Sequence, residues 1–260
     1  MKYTATLPDD SVNVSKENPL FVALKLTLSL VLLAGVAYVL LGFLMNILVA
    51  SISPEYEKKL MEFISVDVNI TQGDSKYLNT VTQKLKKCTD IPYDIGTHIM
   101  EDSEPNAFAM PGGAIYITRG MIAKLKSENE LAFIIGHELG HFKNKDHLRM
   151  LGHRLLFGVV GILLGSDYGA VASTTLSIGS TKYSQKAEYA ADIFGLEVMN
   201  CAYGSVTDAT KMFERMDEGD EWKYFIATHP GFKSRVEKMK EKIAIDGMDT
   251  SRAVVPLGKI

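Results

Sequence analysis

Residues 127–144 read SENELAFIIGHELGHFKN, and the reading of this stretch decides the fold. Ser127 followed three residues later by Glu130 is a helix-opening pair. Leu131, Ile134, Ile135 and Phe142 recur at helical spacing, so the segment predicts an amphipathic helix with one buried stripe. Inside it stands His137-Glu138-Leu139-Gly140-His141. Residues four apart lie one above the other on a helix face, so His137 and His141 can bind one Zn²⁺ together. Glu138, about 100° round the helix, is held beside such an ion rather than on it, placed to take a proton from a water. Gly136 and Gly140 flank the histidines. Each weakens the helix by about 1 kcal/mol relative to alanine, which points to close approach by another group.

A catalytic zinc site takes three protein ligands and leaves a fourth position open. Glu188-Tyr189-Ala190-Ala191-Asp192 puts two acids four apart on a later helix, read over 182–200 and ended by Gly204. Glu188 completes a His₂Glu set. Asp192 is then placed to accept a hydrogen bond from the free ring nitrogen of a ligand histidine and fix its tautomer. The adjacent alanines argue for tight packing rather than a solvated face.

Outward from these helices, Ala107–Met110 and Ala114–Thr118 flank Pro111-Gly112-Gly113, a hairpin signature, and Tyr93–Met100 reads as extended. Leu78, Val81 and Leu85 share one face of a helix over 76–87, Ser53-Pro54 opens another over 53–63, and 206–217 and 232–244 read as amphipathic helices. The fold class expected is mostly α with a small β-sheet. The apolar tracts Leu155–Gly165 and Ala170–Gly179 read either as two buried helices or as a hairpin dipping into a membrane surface; neither is long enough to span. His98, His147 and His153 receive no role, and His147 and His153 are expected on polar faces.

From Leu26 to Ala50 the chain carries no charge. A helix crosses the ~30 Å hydrocarbon core in about 20 residues, so this stretch can span. A cleaved signal peptide competes, but the run exceeds the usual 7–15 apolar residues and follows a segment containing Asp9, Asp10 and Glu17. A retained anchor is therefore expected. The organisation read is a flexible tail over 1–19, an anchor over 20–52, a domain over 53–245 and a tail over 246–260. Lysines flank the span evenly, and Lys2 tips the N-terminus inward, placing the domain outside the cytoplasm. Of 260 residues, 47% are hydrophobic and 23% charged, which excludes a disordered chain; a net charge of −3 gives no reason to expect nucleic acid. Cys88 and Cys201 are too few for a disulfide scaffold; one bridge between them is open, but nothing in the sequence brings them within bonding reach, so two buried thiols are favoured over a bridge.

The chain resembles the HtpX/Oma-type zinc metallopeptidases, a family that also includes BepA-like proteins and the CAAX prenyl proteases. Four matches in order carry the resemblance: Asn106-Ala107-Phe108-Ala109-Met110-Pro111-Gly112-Gly113, His137–His141, Glu188–Asp192, and His229-Pro230 with Ser234-Arg235. It implies a zincin-like (gluzincin) domain behind one membrane helix, holding one Zn²⁺ on His137, His141 and Glu188, with Glu138 as base and Asp192 behind the ligands. It further implies that His229 stabilises the oxyanion and that Asn106, Ala107, Phe108 and Ala109 form an edge strand where a protein or peptide substrate pairs in extended form. The implied activity is cleavage of unfolded or membrane-associated proteins in quality control. One departure stands out: the family often places arginine shortly before the third ligand, where this chain has Ser184-Gln185-Lys186-Ala187-Glu188. The rival reading is a chaperone or assembly factor that uses the hairpin edge, with a structural or latent zinc site.

Overall fold

The computed structural model describes residues 18–64, 72–92, 94–163, 165, 183–216 and 222–260. Residues 1–17 of the expected N-terminal tail and the Ala170–Gly179 tract lie outside them. Helix α1 (Pro19–Ser51) is 33 residues long, about 50 Å at 1.5 Å per residue. Its apolar side chains are exposed almost throughout; Leu32, for example, is 70% exposed. Among the described residues it is the one helix long and apolar enough to cross a membrane.

The chain divides into two units, residues 1–46 and 47–260. The second is built on helix α5 (Glu128–Asn144), whose residues are buried from Asn129 to Phe142. Ser127 caps it, its Oγ accepting from the Glu130 amide at 3.2 Å. The Glu130 carboxylate does not close the reciprocal half of a capping box. It accepts instead from the Lys126 amide and from the guanidinium of Arg215, a stronger, charged donor. Lys145 in the left-handed region (φ 54°) ends α5, and its ammonium reaches the carbonyls of Val49, Ala50 and Ile52 near the end of α1.

A four-stranded sheet packs on this helix: β1 (Gln72–Asp74), β2 (Gly96–Met100), β3 (Ala107–Met110) and β4 (Ala114–Thr118), in the order β1-β2-β4-β3. β2 and β4 run parallel; the other pairs are antiparallel. Gly112 and Gly113 turn the β3–β4 hairpin at φ of 91° and 92°, where a side chain is strained. Alternation then sorts the strands' residues. Ile99, Ala107, Ala109, Ile115 and Ile117 enter the main core, while Phe108, Met110 and Tyr116 form a second cluster on the other face. β3 is the outer strand on one side.

The expected apolar face of α3 (Lys76–Lys86), Leu78, Val81 and Leu85, is fully inside. Helices α2 (Pro54–Ile64), α4 (Arg119–Lys124), α6 (Asp146–Leu163), α7 (Gln185–Tyr203), α8 (Lys211–Met216), α9 (Lys223–Thr228) and α10 (Phe232–Ile245) complete the described elements. Gly204 stops α7 at φ 63°. Residues 246–260, expected as a tail, contain no helix or strand yet are docked. Val255 accepts from the first amide of α5, Glu128 N, and donates to the Asn129 side chain.

Two expectations are corrected. Cys88 and Cys201 are not free thiols but a disulfide, their Cα atoms 6.0 Å apart. α3 and α7 pack on one core, and that juxtaposition spans 113 residues of sequence, beyond any local signal. His147 is not on a polar face: it is 2% exposed, with Nε2 2.9 Å from Glu57 Oε1. The reason is again remote, since Glu57 sits on α2. It also accepts from the Gly112 amide at 2.9 Å, joining that helix to the hairpin turn.

Candidate metal centre

The site lies where α5 crosses α7, and glycine makes the crossing close. An added Cβ on Gly140 stands 2.7 Å from Ala191 Cα; one on Gly136 stands 3.1 Å from Gly195 Cα; one on Gly195 stands 3.0 Å from His137 N. The helices are in backbone contact, which is the close approach the two glycines of α5 imply. It sets Glu188 beside the histidines.

His137, His141, Glu188 and His229 form a buried cluster with ligand atoms all within 4.8 Å of one another. His137 Nδ1 lies 3.0 Å from Asp192 Oδ1, and His141 Nδ1 lies 3.0 Å from Asp146 Oδ2. Each carboxylate anchors one ring nitrogen and turns the other, Nε2, inward, leaving the two Nε2 atoms 3.1 Å apart. Glu188 closes the set, with Oε1 3.5 Å from His141 Nε2 and Oε2 3.7 Å from His137 Nε2. Two ligands bonded at 2.0–2.1 Å to a tetrahedral zinc stand about 3.3 Å apart, so this donor set fits the ion.

Electrostatics follow from the partners. Burial opposes a charge on His141, but the carboxylates of Asp146 and Glu188 push its imidazole up to about 10, whereas burial pushes His137 down. Burial also opposes ionisation of Glu188, yet His229 and Arg235 hold its carboxyl well below the usual range. Arg235, 2% exposed, forks onto Asp192 (2.6 Å to each oxygen) and reaches Glu188 Oε2 at 2.5 Å. Arg235 is brought to these two acids by α10.

His229 follows α9, which stops there because Pro230 disfavours helical geometry in the residue before it; His229 adopts φ −120°, ψ 76°. Its Nδ1 lies 3.2 Å from both Glu188 oxygens and its Nε2 3.2 Å from the Ala107 carbonyl on β3. Ala107, Phe108 and Ala109 lie on the outer strand, and Asn106 immediately precedes it.

Among the described residues three buried side-chain atoms have no hydrogen-bond partner: Oε1 and Oε2 of Glu138, and the hydroxyl of Tyr183. Tyr183 stacks on His141, ring centroids 3.9 Å apart and planes 10° apart. Burial, with the charges of Glu138 and Glu188, raises its phenol well above its ordinary range. Four contributors carry no assignment from sequence. Asp146 had a local signal, an acid opening the helix just past the His141 turn. Arg235 lay in a matched motif without a role. Tyr183, directly before the Ser184 cap, and Glu57 offered none.

Fold and site together define a helix-borne His/Glu cluster that could hold a metal ion, beside a sheet edge. The sequence profile of peptidase family M48 matches residues 73–243, and the chain belongs to that family. It is 26% identical over 210 residues to the mitochondrial metalloendopeptidase OMA1 of Schizosaccharomyces pombe, covering 73% of this chain and 62% of that protein. It is 27% identical over 205 residues to a protease HtpX homolog of Salinibacter ruber, covering 72% and 73%. A putative beta-barrel assembly-enhancing protease of Vibrio cholerae is 24% identical over 189 residues, covering 65% and 39%. The chain spans less than two thirds of the length of the fission-yeast relative.

Proposed function

We propose that the chain is a membrane-anchored zinc metalloendopeptidase that hydrolyses peptide bonds of unfolded or membrane-associated proteins in protein quality control. The observation that carries this reading is Glu138. Its carboxylate is completely buried beside the metal cluster, and both oxygens lack a partner. A buried acceptor with no donor destabilises the resting protein, as expected of a group that waits for a proton.

His137, His141 and Glu188 hold one zinc per chain, and zinc supplies the positive charge that acidifies a water and polarises the scissile carbonyl. Glu138 takes the proton of the attacking water and returns it to the leaving amine. Asp192 and Asp146 lock the two imidazoles through Nδ1, and Arg235 fixes Asp192 and Glu188. The substrate pairs in extended form along Asn106–Ala109, a reading supported by β3 being the outer strand, with a carbonyl that touches His229. For His229 to stabilise the oxyanion, its Nε2 leaves the Ala107 carbonyl when substrate enters. Residues 20–52 serve as the anchor and 53–245 as the catalytic domain. The Cys88–Cys201 bridge supports an oxidising, extracytoplasmic side, the periplasmic face of the inner membrane in a bacterium.

The test is cleavage of casein by the full chain in detergent, with and without a chelator. Chelator-sensitive cleavage, retained metal in Glu138→Gln and a loss of about 10²–10⁴ in its turnover are expected. Wild-type and Glu138→Gln proteins that both fail to cleave, yet both suppress aggregation, would instead establish the chaperone reading.

A further inference from the structure

Of the three unpartnered buried atoms, two belong to the base; the Tyr183 hydroxyl has no part in the chemistry described so far. Tyr183 is 6% exposed. Stacking on His141 fixes the plane of its ring, and the ring of His229 lies 5.7 Å away. Its backbone amide donates to the Thr228 carbonyl at 3.3 Å, tying it to the segment that presents His229. Burial, with the charges of Glu138 and Glu188, raises its phenol well above the ordinary range, so the hydroxyl keeps its proton. A phenol held this firmly in the interior finds a hydrogen-bond partner in most proteins. Among the described residues this hydroxyl has none, and the ring that carries it is stacked on the ligand His141. His229, by contrast, has both ring nitrogens engaged. The donor that is placed and uncommitted is Tyr183.

We propose that the Tyr183 hydroxyl donates a hydrogen bond to the oxygen of the scissile carbonyl as that oxygen becomes an anion. The inference rests on the peptidase reading above. In the first step the water oxygen bonds to the carbonyl carbon, its proton passes to Glu138, and the π pair of the carbonyl moves onto the oxygen that Tyr183 meets. In the second step that pair re-forms the carbonyl. The C–N bond breaks with its electrons going to nitrogen, and nitrogen takes the proton from Glu138. Tyr183 keeps its own proton throughout. Its bond strengthens only as charge develops, which makes it a catalytic residue rather than a binding one.

Tyr183→Phe in the full chain isolates the hydroxyl, because the ring and its stacking on His141 remain. Removing an unpartnered buried hydroxyl leaves the melting temperature equal or higher, and metal content should stay at one per chain. Turnover of casein-derived peptides falls by about 10²–10³ with KM nearly unchanged. Affinity for a peptide phosphonate, which mimics the tetrahedral state, falls by the same factor, while affinity for a product peptide holds. A purely structural tyrosine gives the opposite pattern: a lowered melting temperature, or turnover equal to wild type, either of which overturns the inference alone. A wild-type chain without chelator-sensitive cleavage overturns the peptidase reading and this inference with it.

Discussion

Replacing Gly140 by alanine sets two effects of one methyl group against each other. In a helix alone, alanine is favoured over glycine by about 0.8–1.0 kcal/mol. In this helix the new Cβ stands 2.7 Å from Ala191 Cα, 3.1 Å from Ala191 O and 3.2 Å from Ala191 Cβ. Carbon atoms pack at about 3.5–4.0 Å, so α5 and α7 must part by roughly 1 Å at the crossing. Overpacking of this kind costs about 1–3 kcal/mol, which leaves a net loss of about 0–2 kcal/mol once propensity is counted. The site is hit harder than the fold. Gly140 sits between the two histidines on α5, and Ala191 sits between Glu188 and Asp192 on α7. A separation there moves Glu188 away from the imidazoles, while metal sites tolerate about ±0.2 Å. The expected weakening of zinc binding is at least about 10–100-fold, the loss typical of removing an outer partner of a ligand. Competition with a chromophoric chelator measures it, alongside thermal melting. Gly136→Ala, facing Gly195 Cα at 3.1 Å, should show the same change more weakly. A Gly140→Ala protein that melts higher and binds zinc as wild type does would refute the claim that glycine contact sets the ligand geometry.

Reduction of Cys88–Cys201, or replacement of both by alanine, releases a loop of 113 residues and should lower stability by about 2–5 kcal/mol; an unchanged unfolding midpoint in urea would count against the bridge. The metal-free protein should lose stability with rising pH. The folded value of His141 is raised from 6.5 to about 10, so its contribution is complete below pH 6.5 and fades as pH climbs through about 10. Zinc binding tightens over the same window because the ion displaces that proton. Calorimetry at pH 8 in two buffers of different ionisation enthalpy should therefore show release of about one proton per zinc, and none released would contradict the assignment. Glu57→Gln keeps shape but removes the charge between His147 and the Gly112 amide; it should cost about 1–3 kcal/mol by weakening two buried hydrogen bonds, read as a lower melting temperature.

What was legible before any coordinates was local. A helical period, a capping serine and a four-residue spacing placed the histidines of α5 on one face, and the same spacing paired Glu188 with Asp192. Pro111-Gly112-Gly113 marked a hairpin because a turn at positive φ demands glycine there. The two glycines flanking His137–His141 announced close approach through their local cost, but not the partner; that Ala191 and Gly195 fill the role is a fact of the helix crossing. Everything that depends on distant segments meeting was out of reach: Arg235 forking onto Asp192, His229 bridging Glu188 and Ala107, His147 reaching Glu57, the disulfide. Each partner alone reads as an ordinary polar residue. His147 shows the hazard most clearly, since its own helix says nothing about a carboxylate 90 residues earlier.

The central claim is that His137, His141 and Glu188 converge on one zinc ion with Glu138 beside it. Anomalous diffraction from crystals of the zinc-loaded chain, collected on either side of the zinc absorption edge, tests it most directly. The account predicts one peak per chain, about 2.0–2.2 Å from His137 Nε2, His141 Nε2 and a Glu188 oxygen, with Glu138 outside bonding distance. A peak bonded to Glu138 or Asp192 in place of Glu188, or no peak at the crossing of α5 and α7, would contradict it.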